Sequence, residues 1–170
     1  MAQSLVVFYS RADENYVNGE IRTLSVGNTE IVADMLSELT DADKFKIEQT
    51  EPYSKNYNEC IEQARRDQQQ NKRPELKNYP DSLDPYSVIY LGYPNYWSTM
   101  PMAVFTFLEH FDFSCKIIKP FCTHEGSGLG KSVEDIKKLC PTADVRRGIA
   151  IHGGSAGKSK KDIEKWIEEK

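Results

Sequence analysis

Three short segments carry residue types that bind charged or planar ligands. The first is Gly27-Asn28-Thr29, which directly precedes a stretch with helical periodicity. Glycine permits a tight turn, and the unpaired N–H groups and positive dipole end of the following helix hold an anion. A phosphate site is one interpretation of this segment, and an ordinary helix-capping turn is the other. Ser10, at the end of the first predicted strand, would place its hydroxyl beside the same helix end.

The second segment is the loop YPNYWSTMP, Tyr93 to Pro101, which has adjacent aromatic residues at Tyr96 and Trp97 and a proline near each end. Large rings in a rigid turn form a stacking wall for a planar ligand. In the alternative interpretation, one ring packs into the core and the other has no role in binding.

The third segment is THEGSGLGK, Thr123 to Lys131, with glycines at every second position from Gly126 to Gly130. Glycine lets the backbone approach a flat ligand and adopt positive φ while its N–H groups stay free to donate. The spacing fits neither a P-loop nor a dinucleotide-binding fingerprint. A flexible linker is the alternative, but the segment directly follows a predicted core strand.

Cysteine and histidine spacing does not predict a metal or redox centre. None of the four cysteines forms a C-x-x-C pair, so each is interpreted as a buried apolar residue or a reduced thiol. Cys122 and His124 would share one face of a strand, but two ligands fall short of the three or four that zinc takes.

Charge and length exclude several classes of protein. The 170 residues carry a net charge of -4 with both signs interspersed, so no basic block is present to neutralise nucleic-acid phosphates. The apolar run Leu5 to Tyr9 is too short for a signal peptide or a membrane span. We therefore expect a single domain over 1–170, cytoplasmic, without nucleic-acid or membrane partners.

Strand-like and helix-like segments alternate along the chain. Helical periodicity follows Gly27, and Pro101 is predicted as the first residue of a later helix. Ser132 and Ser159 are each followed three residues later by aspartate, which predicts capped helix starts. The predicted strands are Ser4–Ser10, Phe45–Thr50, Val88–Pro94, Lys116–Thr123 and Val145–His152.

This alternation predicts an α/β fold with a parallel sheet and right-handed crossovers. In such sheets the ligand lies beyond the carboxyl ends of the strands, where the winding direction reverses. The three segments follow Ser10, Pro94 and Thr123, at those ends, so we expect them to meet at one site.

With these residues in order, the chain resembles the flavodoxin-like family, specifically its single-domain flavodoxin branch with an insertion before the Gly-Asn-Thr turn. The likeness runs through VVFYSR, GNTE, EPYSKNYNEC, RPELKNYPDSLDPYSVIYLGYPNYW, PMAVFTFLEHFDF and IKPFCTHEGSGLG. The resemblance implies a three-layer α/β/α sandwich, a five-stranded parallel sheet of order 2-1-3-4-5, and noncovalently bound FMN.

The resemblance also implies which residues bind FMN. Ser10, Asn28 and Thr29 match the family's phosphate loop, with Gly27 shaping it. Residues matching the two loops beside the flavin ring are Pro94, Asn95, Tyr96 and Trp97 in one loop, and Thr123, Glu125, Gly126, Ser127 and Gly128 in the other. Many flavodoxins lack the interval Arg11 to Val26, so Arg11, Asn15 and Tyr16 either join the site or belong to a surface excursion; Arg11 is included among the predicted FMN contacts.

Two functions are compatible with these features. The first is a low-potential electron carrier that shuttles electrons between a reductase and an acceptor protein and needs no catalytic residue. The alternative is an FMN-dependent NAD(P)H:quinone oxidoreductase, in which His124, Tyr96 or Lys131 would face substrate. A response-regulator-like module is disfavoured, because Ser10-Arg11 supplies no acidic cluster after the first strand.

Overall fold

The computed structural model describes residues 3–170. The β-strands are β1 (Gln3–Phe8), β2 (Asp13–Val17), β3 (Glu20–Leu24), β4 (Asp43–Lys46), β5 (Tyr86–Pro94), β6 (Ile117–His124), β7 (Asp144–Val145) and β8 (Ile149–His152). The α-helices are α1 (Asn28–Thr40), α2 (Tyr57–Gln69), α3 (Met102–His110), α4 (Ser132–Leu139) and α5 (Lys160–Ile167), and a 3₁₀ helix spans Gly153–Lys158.

The main sheet is parallel, with strand order β4-β1-β5-β6-β7, and β8 also pairs with β6. Numbered by their order along the chain, the parallel strands run 2-1-3-4-5, so the predicted flavodoxin-like order is confirmed. Strand β4 begins and ends earlier than the predicted strand Phe45–Thr50, because the chain leaves the sheet after Lys46 and Gln49 instead bridges to Leu76.

The fifth sheet position is occupied by two short strands, so the prediction of one continuous strand over Val145–His152 was wrong. Strand β7 pairs with β6 at Ile117 and Ile118, and β8 pairs with it from Phe121 onward. The break lies opposite Pro120, which has no N–H to donate to a neighbouring strand.

Alternate residues of the central strands point to opposite faces of the sheet, and each face carries its own core. Val7 and Leu91 pack on one face with Phe107 of α3. Val6 and Tyr90 pack on the other face, against side chains of α1 and α5. The strands are therefore covered on both sides, as their continuous apolar sequences predict.

Three predicted helix starts differ in detail. Pro101 immediately precedes α3 instead of being its first residue. The hydroxyls of Ser132 and Ser159 donate to the carbonyls of Leu129 and Ala156, so neither serine caps its helix through its side chain. The capping prediction was wrong because each of these helices follows a turn whose carbonyl oxygen takes the hydroxyl proton.

The interval between β1 and α1 forms an antiparallel hairpin of β2 and β3 outside the main sheet. Its register pairs Asp13 with Leu24 and Val17 with Glu20. Within residues 3–170, no helix has the length and apolar character needed to cross a membrane.

Candidate functional site

The three segments singled out by sequence meet at one cavity of about 380 Å³ at the carboxyl ends of β5 and β6 and the N-terminus of α1. This volume lies in the range of small-molecule sites, roughly 300–1,000 Å³. The residues predicted to bind FMN that line the cavity are Arg11, Asn28, Thr29, Pro94, Asn95, Tyr96, Trp97, Thr123, Glu125 and Ser127. Ser10, Gly27, Gly126 and Gly128 lie outside the lining.

One end of the cavity is the N-terminus of α1. The backbone N–H of Glu30 donates to Ser10 Oγ at 3.0 Å. The N–H groups of Asn28 and Thr29 precede the first helical hydrogen bond, so neither has an acceptor within the helix. Ser10 therefore accepts the N–H of Glu30. The N–H groups of Asn28 and Thr29 stay available at the N-terminus of α1, where an anion would be stabilised.

Gly27 allows the chain before the helix to pack tightly. A Cβ at this position would lie 2.2 Å from Ser10 Oγ and 2.4 Å from the carbonyl oxygen of Arg11. Because Gly27 has φ of -68°, close packing and not backbone conformation requires glycine here. Gly27 thus shapes the anion end without lining it.

A pair of hydroxyls lies beside this helix end. Thr29 Oγ1 and Thr123 Oγ1 are 2.7 Å apart, and both residues are buried. The pair has two protons and uses one for their mutual hydrogen bond, so the other stays available for a ligand oxygen. Asn28 also lines the cavity, and its side-chain amide nitrogen lies next to Gly153.

The aromatic loop after β5 is a tight turn. Tyr96 N–H donates to the carbonyl of Thr99 at 2.8 Å, and the central residues Trp97 and Ser98 have φ of 53° and 74°. Two positive φ values are typical of a type I′ turn, which favours asparagine and glycine. Each non-glycine residue in this region costs on the order of 1–3 kcal/mol, strain that is concentrated at functional sites.

The two rings of this turn have different environments. Tyr96 packs edge-on against buried Tyr9, with centroids 5.9 Å apart. Trp97 stays 42% exposed, donates through Nε1 to the Ile61 carbonyl, and lies 5.2 Å from the guanidinium of Arg65. Both rings line the cavity, so the stacking-wall interpretation and the core-packing interpretation each describe part of the structure.

The hydroxyl of Tyr96 is buried and has no hydrogen-bond partner within residues 3–170. Burial raises the pKa of Tyr96 well above its ordinary value, so the phenol keeps its proton. An unpaired buried hydroxyl costs about 1–3 kcal/mol.

The glycine-rich loop after β6 is tied to the aromatic loop. Asn95 Nδ2 donates to the Gly128 carbonyl at 2.8 Å, and Asn95 Oδ1 accepts from the N–H of Ser98. Gly126 and Gly128 have φ of 133° and 62°, conformations that favour glycine. These contacts hold the two loops at a fixed separation across the cavity.

Two histidines and a glutamate lie at the carboxyl ends of β6 and β8. Glu125 Oε1 accepts from the backbone N–H of Asn18, and Glu125 Oε2 lies 3.0 Å from Nε2 of His152. His124 Nδ1 accepts from the N–H of Gly126. Burial, followed by the nearby His152, lowers the pKa of His124, so this imidazole is predominantly neutral at pH 7.

Helix α2 supplies a wall that the sequence interpretation did not assign to the site. Its lining residues are Tyr57, Cys60, Ile61 and Ala64. The sequence feature that could have indicated this wall is an apolar stripe in an otherwise polar helix. Such a stripe also fits ordinary core packing. Burial raises the pKa of Cys60, so its sulfur stays a thiol.

Arg11, just before the hairpin, and Asn15 and Tyr16 of β2 contribute a further wall. The sequence interpretation left these residues either in the site or on the surface, with Arg11 included among the predicted FMN contacts. The Arg11 guanidinium donates to the carbonyls of Glu14 and Lys55. Ser98, His124 and Gly153 complete the lining. Within residues 3–170, no group of three or more His, Cys, Asp or Glu side chains is placed to hold a metal ion.

Comparison with known proteins identifies relatives of this architecture. The sequence model of a family described as Flavodoxin matches residues 22–170. No curated protein sequence matches the chain. A candidate flavoprotein of Bacteroides eggerthii superposes with a TM-score of 0.78 at 23% identity, covering 100% of both chains.

Two further solved structures share the fold at lower similarity. A flavoprotein of Lactobacillus acidophilus, solved in complex with FMN, superposes with a TM-score of 0.69 at 18% identity, covering 99% of this chain and 100% of the other. Oxidised flavodoxin 2 from Bacillus cereus gives a TM-score of 0.56 at 16% identity, with 98% and 99% covered.

Proposed function

The chain belongs to the flavodoxin family, and we propose that it binds FMN noncovalently and carries electrons at low potential between a reductase and an acceptor protein. One observation carries this proposal: a single cavity joins a helix N-terminus suited to phosphate with an aromatic turn suited to a planar ring. The FMN complex of the Lactobacillus acidophilus flavoprotein supports the choice of ligand.

The donor set at the helix end fits a phosphate monoester. The N–H groups of Asn28 and Thr29, the remaining proton of the Thr29–Thr123 pair and the Asn28 amide can all donate to phosphate oxygens. The hydroxyl of Ser10 accepts from Glu30 and keeps its own proton for the same purpose. Gly27 would act by shaping this end.

The opposite end fits a flat heteroaromatic ring with polar edges. The residues proposed to surround the ring are Arg11, Pro94, Asn95, Tyr96, Trp97, Thr123, Glu125, Gly126, Ser127 and Gly128. Glycine in the loop after β6 permits close backbone approach to such a ring.

When bound, FMN supplies one- and two-electron chemistry, and the protein supplies position and electrostatics. The exposed Trp97 lies at the cavity mouth, where a partner would approach the ring. The net charge of -4 and the aromatic walls favour a neutral over an anionic ring, which lowers the potential for reduction. We further propose that the carrier acts in the reducing cytoplasm, since its four cysteines are unpaired.

The proposal is tested in two steps with purified chain. FMN is added to flavin-free protein, and shifted flavin absorption bands with quenched fluorescence are expected at one FMN per chain. The loaded protein is then mixed with NADH or NADPH and a quinone. Negligible turnover alone, with rapid reduction once a flavodoxin reductase is added, supports a carrier. Sustained turnover without the reductase would instead establish an NAD(P)H:quinone oxidoreductase.

A further inference from the structure

The hairpin of β2 and β3 has a defined shape. Its turn residues Asn18 and Gly19 have φ of 52° and 83°, the Asn-Gly pattern of a type I′ turn. Val17 is buried, while β3 is exposed from Glu20 to Thr23. The hairpin is therefore a two-stranded ribbon in which β2 packs against the rest of the protein and β3 faces solvent.

The root of the hairpin is fixed on both sides of the cavity. The Arg11 carbonyl packs against Gly27, at the start of α1. The Arg11 guanidinium donates to the carbonyl of Lys55 at 2.9 Å, and Glu14 Oε1 accepts from the N–H of Tyr57 at 3.0 Å. Farther along β2, the ring of Tyr16 packs on Tyr57 of α2, with centroids 6.0 Å apart. These contacts join the root to α1 and α2.

The tip of the hairpin is fixed at a third place. Asn18 N–H donates to Glu125 Oε1 at 3.0 Å, and the other oxygen of Glu125 pairs with His152. The Asn18 amide also packs so closely on Gly154 that a Cβ there would lie 2.2 Å from Asn18 Oδ1. The neighbouring Gly153 lies against Asn28, since its Cβ would be 2.7 Å from Asn28 Nδ2.

The root touches Gly27, and the tip packs on Gly154, next to the Gly153 that lies against Asn28, so both ends of the hairpin lie beside the N-terminus of α1. We infer that this hairpin determines flavin selectivity: it closes the phosphate end of the cavity, admitting a flavin that ends in a phosphate monoester and excluding one with an adenylate beyond it. Asn18 is the specificity-determining residue at the tip.

This inference rests on the proposed FMN site. A dinucleotide flavin carries a second phosphate and a nucleoside past the first phosphate. To place them beyond α1, the tip would have to leave Gly154 and break the hydrogen bond between Asn18 and Glu125. Selectivity of this kind comes from a steric cost against the larger ligand, not from added affinity for the smaller one.

Gly154 offers a test that leaves the cavity lining intact. In Gly154→Val the new side chain occupies the place of the Asn18 amide and displaces the tip. Gly157→Val is the matched control, because it lies in the same 3₁₀ helix and its Cβ would meet no atom within 4 Å. Both variants and the wild type are titrated with FMN and with FAD by flavin fluorescence, and the ratio of the two dissociation constants is compared.

We expect the wild type and Gly157→Val to prefer FMN over FAD by more than about tenfold, and Gly154→Val to lose most of that preference. An unchanged ratio in Gly154→Val, or equal binding of FMN and FAD by the wild type, overturns the inference and leaves the proposed function standing. Absence of binding of both flavins by the folded wild type overturns the two together.

A second variant covers the case in which Gly154→Val does not fold. Residues 13–24 are replaced by two glycines, which removes both strands and the tip while keeping Arg11 and Gly27. Circular dichroism verifies folding, and the same two titrations follow. A preference for FMN that survives removal of the hairpin contradicts its role in selectivity, whereas comparable FMN and FAD affinities support it.

Discussion

At the residue scale, ligand binding at the candidate phosphate end depends on how many hydroxyl protons are free to donate to a phosphate. Thr29 and Thr123 share one hydrogen bond and keep one free proton between them. The sequence identified both residues, but it gave no indication that they pair, because they lie 94 positions apart. Pairing of this kind depends on where β6 places Thr123 relative to α1.

Thr29→Val removes the Thr29 hydroxyl, the member of the pair carried by α1 at the candidate phosphate end, while keeping the side-chain shape. We expect the dissociation constant for FMN to rise about tenfold or more, because hydrogen bonds to charged groups contribute about 1.5–3 kcal/mol. Riboflavin, which has no phosphate, should lose much less affinity. Fluorescence titration with both flavins measures the difference.

Thr40→Val is the control for this substitution. Thr40 donates to the Leu36 carbonyl in the last turn of the same helix, remote from the candidate phosphate end. Its FMN affinity should match that of the wild type. Equal losses for FMN and riboflavin in Thr29→Val would show that Thr29 does not contact phosphate.

At the element scale, periodicity predicted the central strands and most helices, but not what lies between them. The apolar runs of β1, β5 and β6 indicated buried strands because both of their faces are covered. The hairpin between β1 and α1 was not predicted: only Val17 of its strands is buried, so it lacks an alternating apolar pattern. Whether each predicted residue contacts FMN stays a prediction.

Gly27→Ala tests how the hairpin root and α1 fit together. The new methyl group would collide with the Arg11 backbone, which cannot rotate away as a side chain can. We expect a loss of about 1–3 kcal/mol in the free energy of unfolding, the usual cost of overpacking, and weaker FMN binding. Urea denaturation and fluorescence titration measure the two effects.

Gly157→Ala provides the comparison, since its added methyl group points into open space. It should leave the urea midpoint and the FMN affinity close to wild type. If Gly27→Ala behaved like Gly157→Ala in both measurements, the close packing between Arg11 and α1 would have no energetic role.

At the scale of the whole molecule, a buried lysine joins the sheet to the last helix. Lys119 of β6 is 6% exposed and donates to the carbonyls of Trp166, Ile167 and Glu169. Its ammonium also lies 5.0 Å from the centroid of Trp166. These carbonyls lie at the end of α5 and just beyond it, where the regular helical hydrogen bonds stop, and Lys119 gives each of them a buried donor. Sequence indicated an apolar strand here and gave no reason for a charge.

Lys119→Met keeps the apolar stem and removes the three donors. We expect the free energy of unfolding to fall by roughly 1–3 kcal/mol, because the carbonyls at the end of α5 lose buried partners. The FMN dissociation constant of the folded protein should not change, since Lys119 is not part of the cavity lining. Urea denaturation measures the loss of stability, and titration in the absence of urea measures FMN affinity. A large change in FMN affinity would contradict a purely structural role for Lys119.

The central claim is that FMN binds in the cavity between α1, the aromatic turn and the glycine-rich loop. Isothermal titration of FMN into flavin-free protein at two temperatures tests it most directly. We predict one binding event per chain, with an enthalpy that becomes more negative on warming as apolar surface is buried. Absence of heat at both temperatures, from protein shown to be folded, would contradict the account.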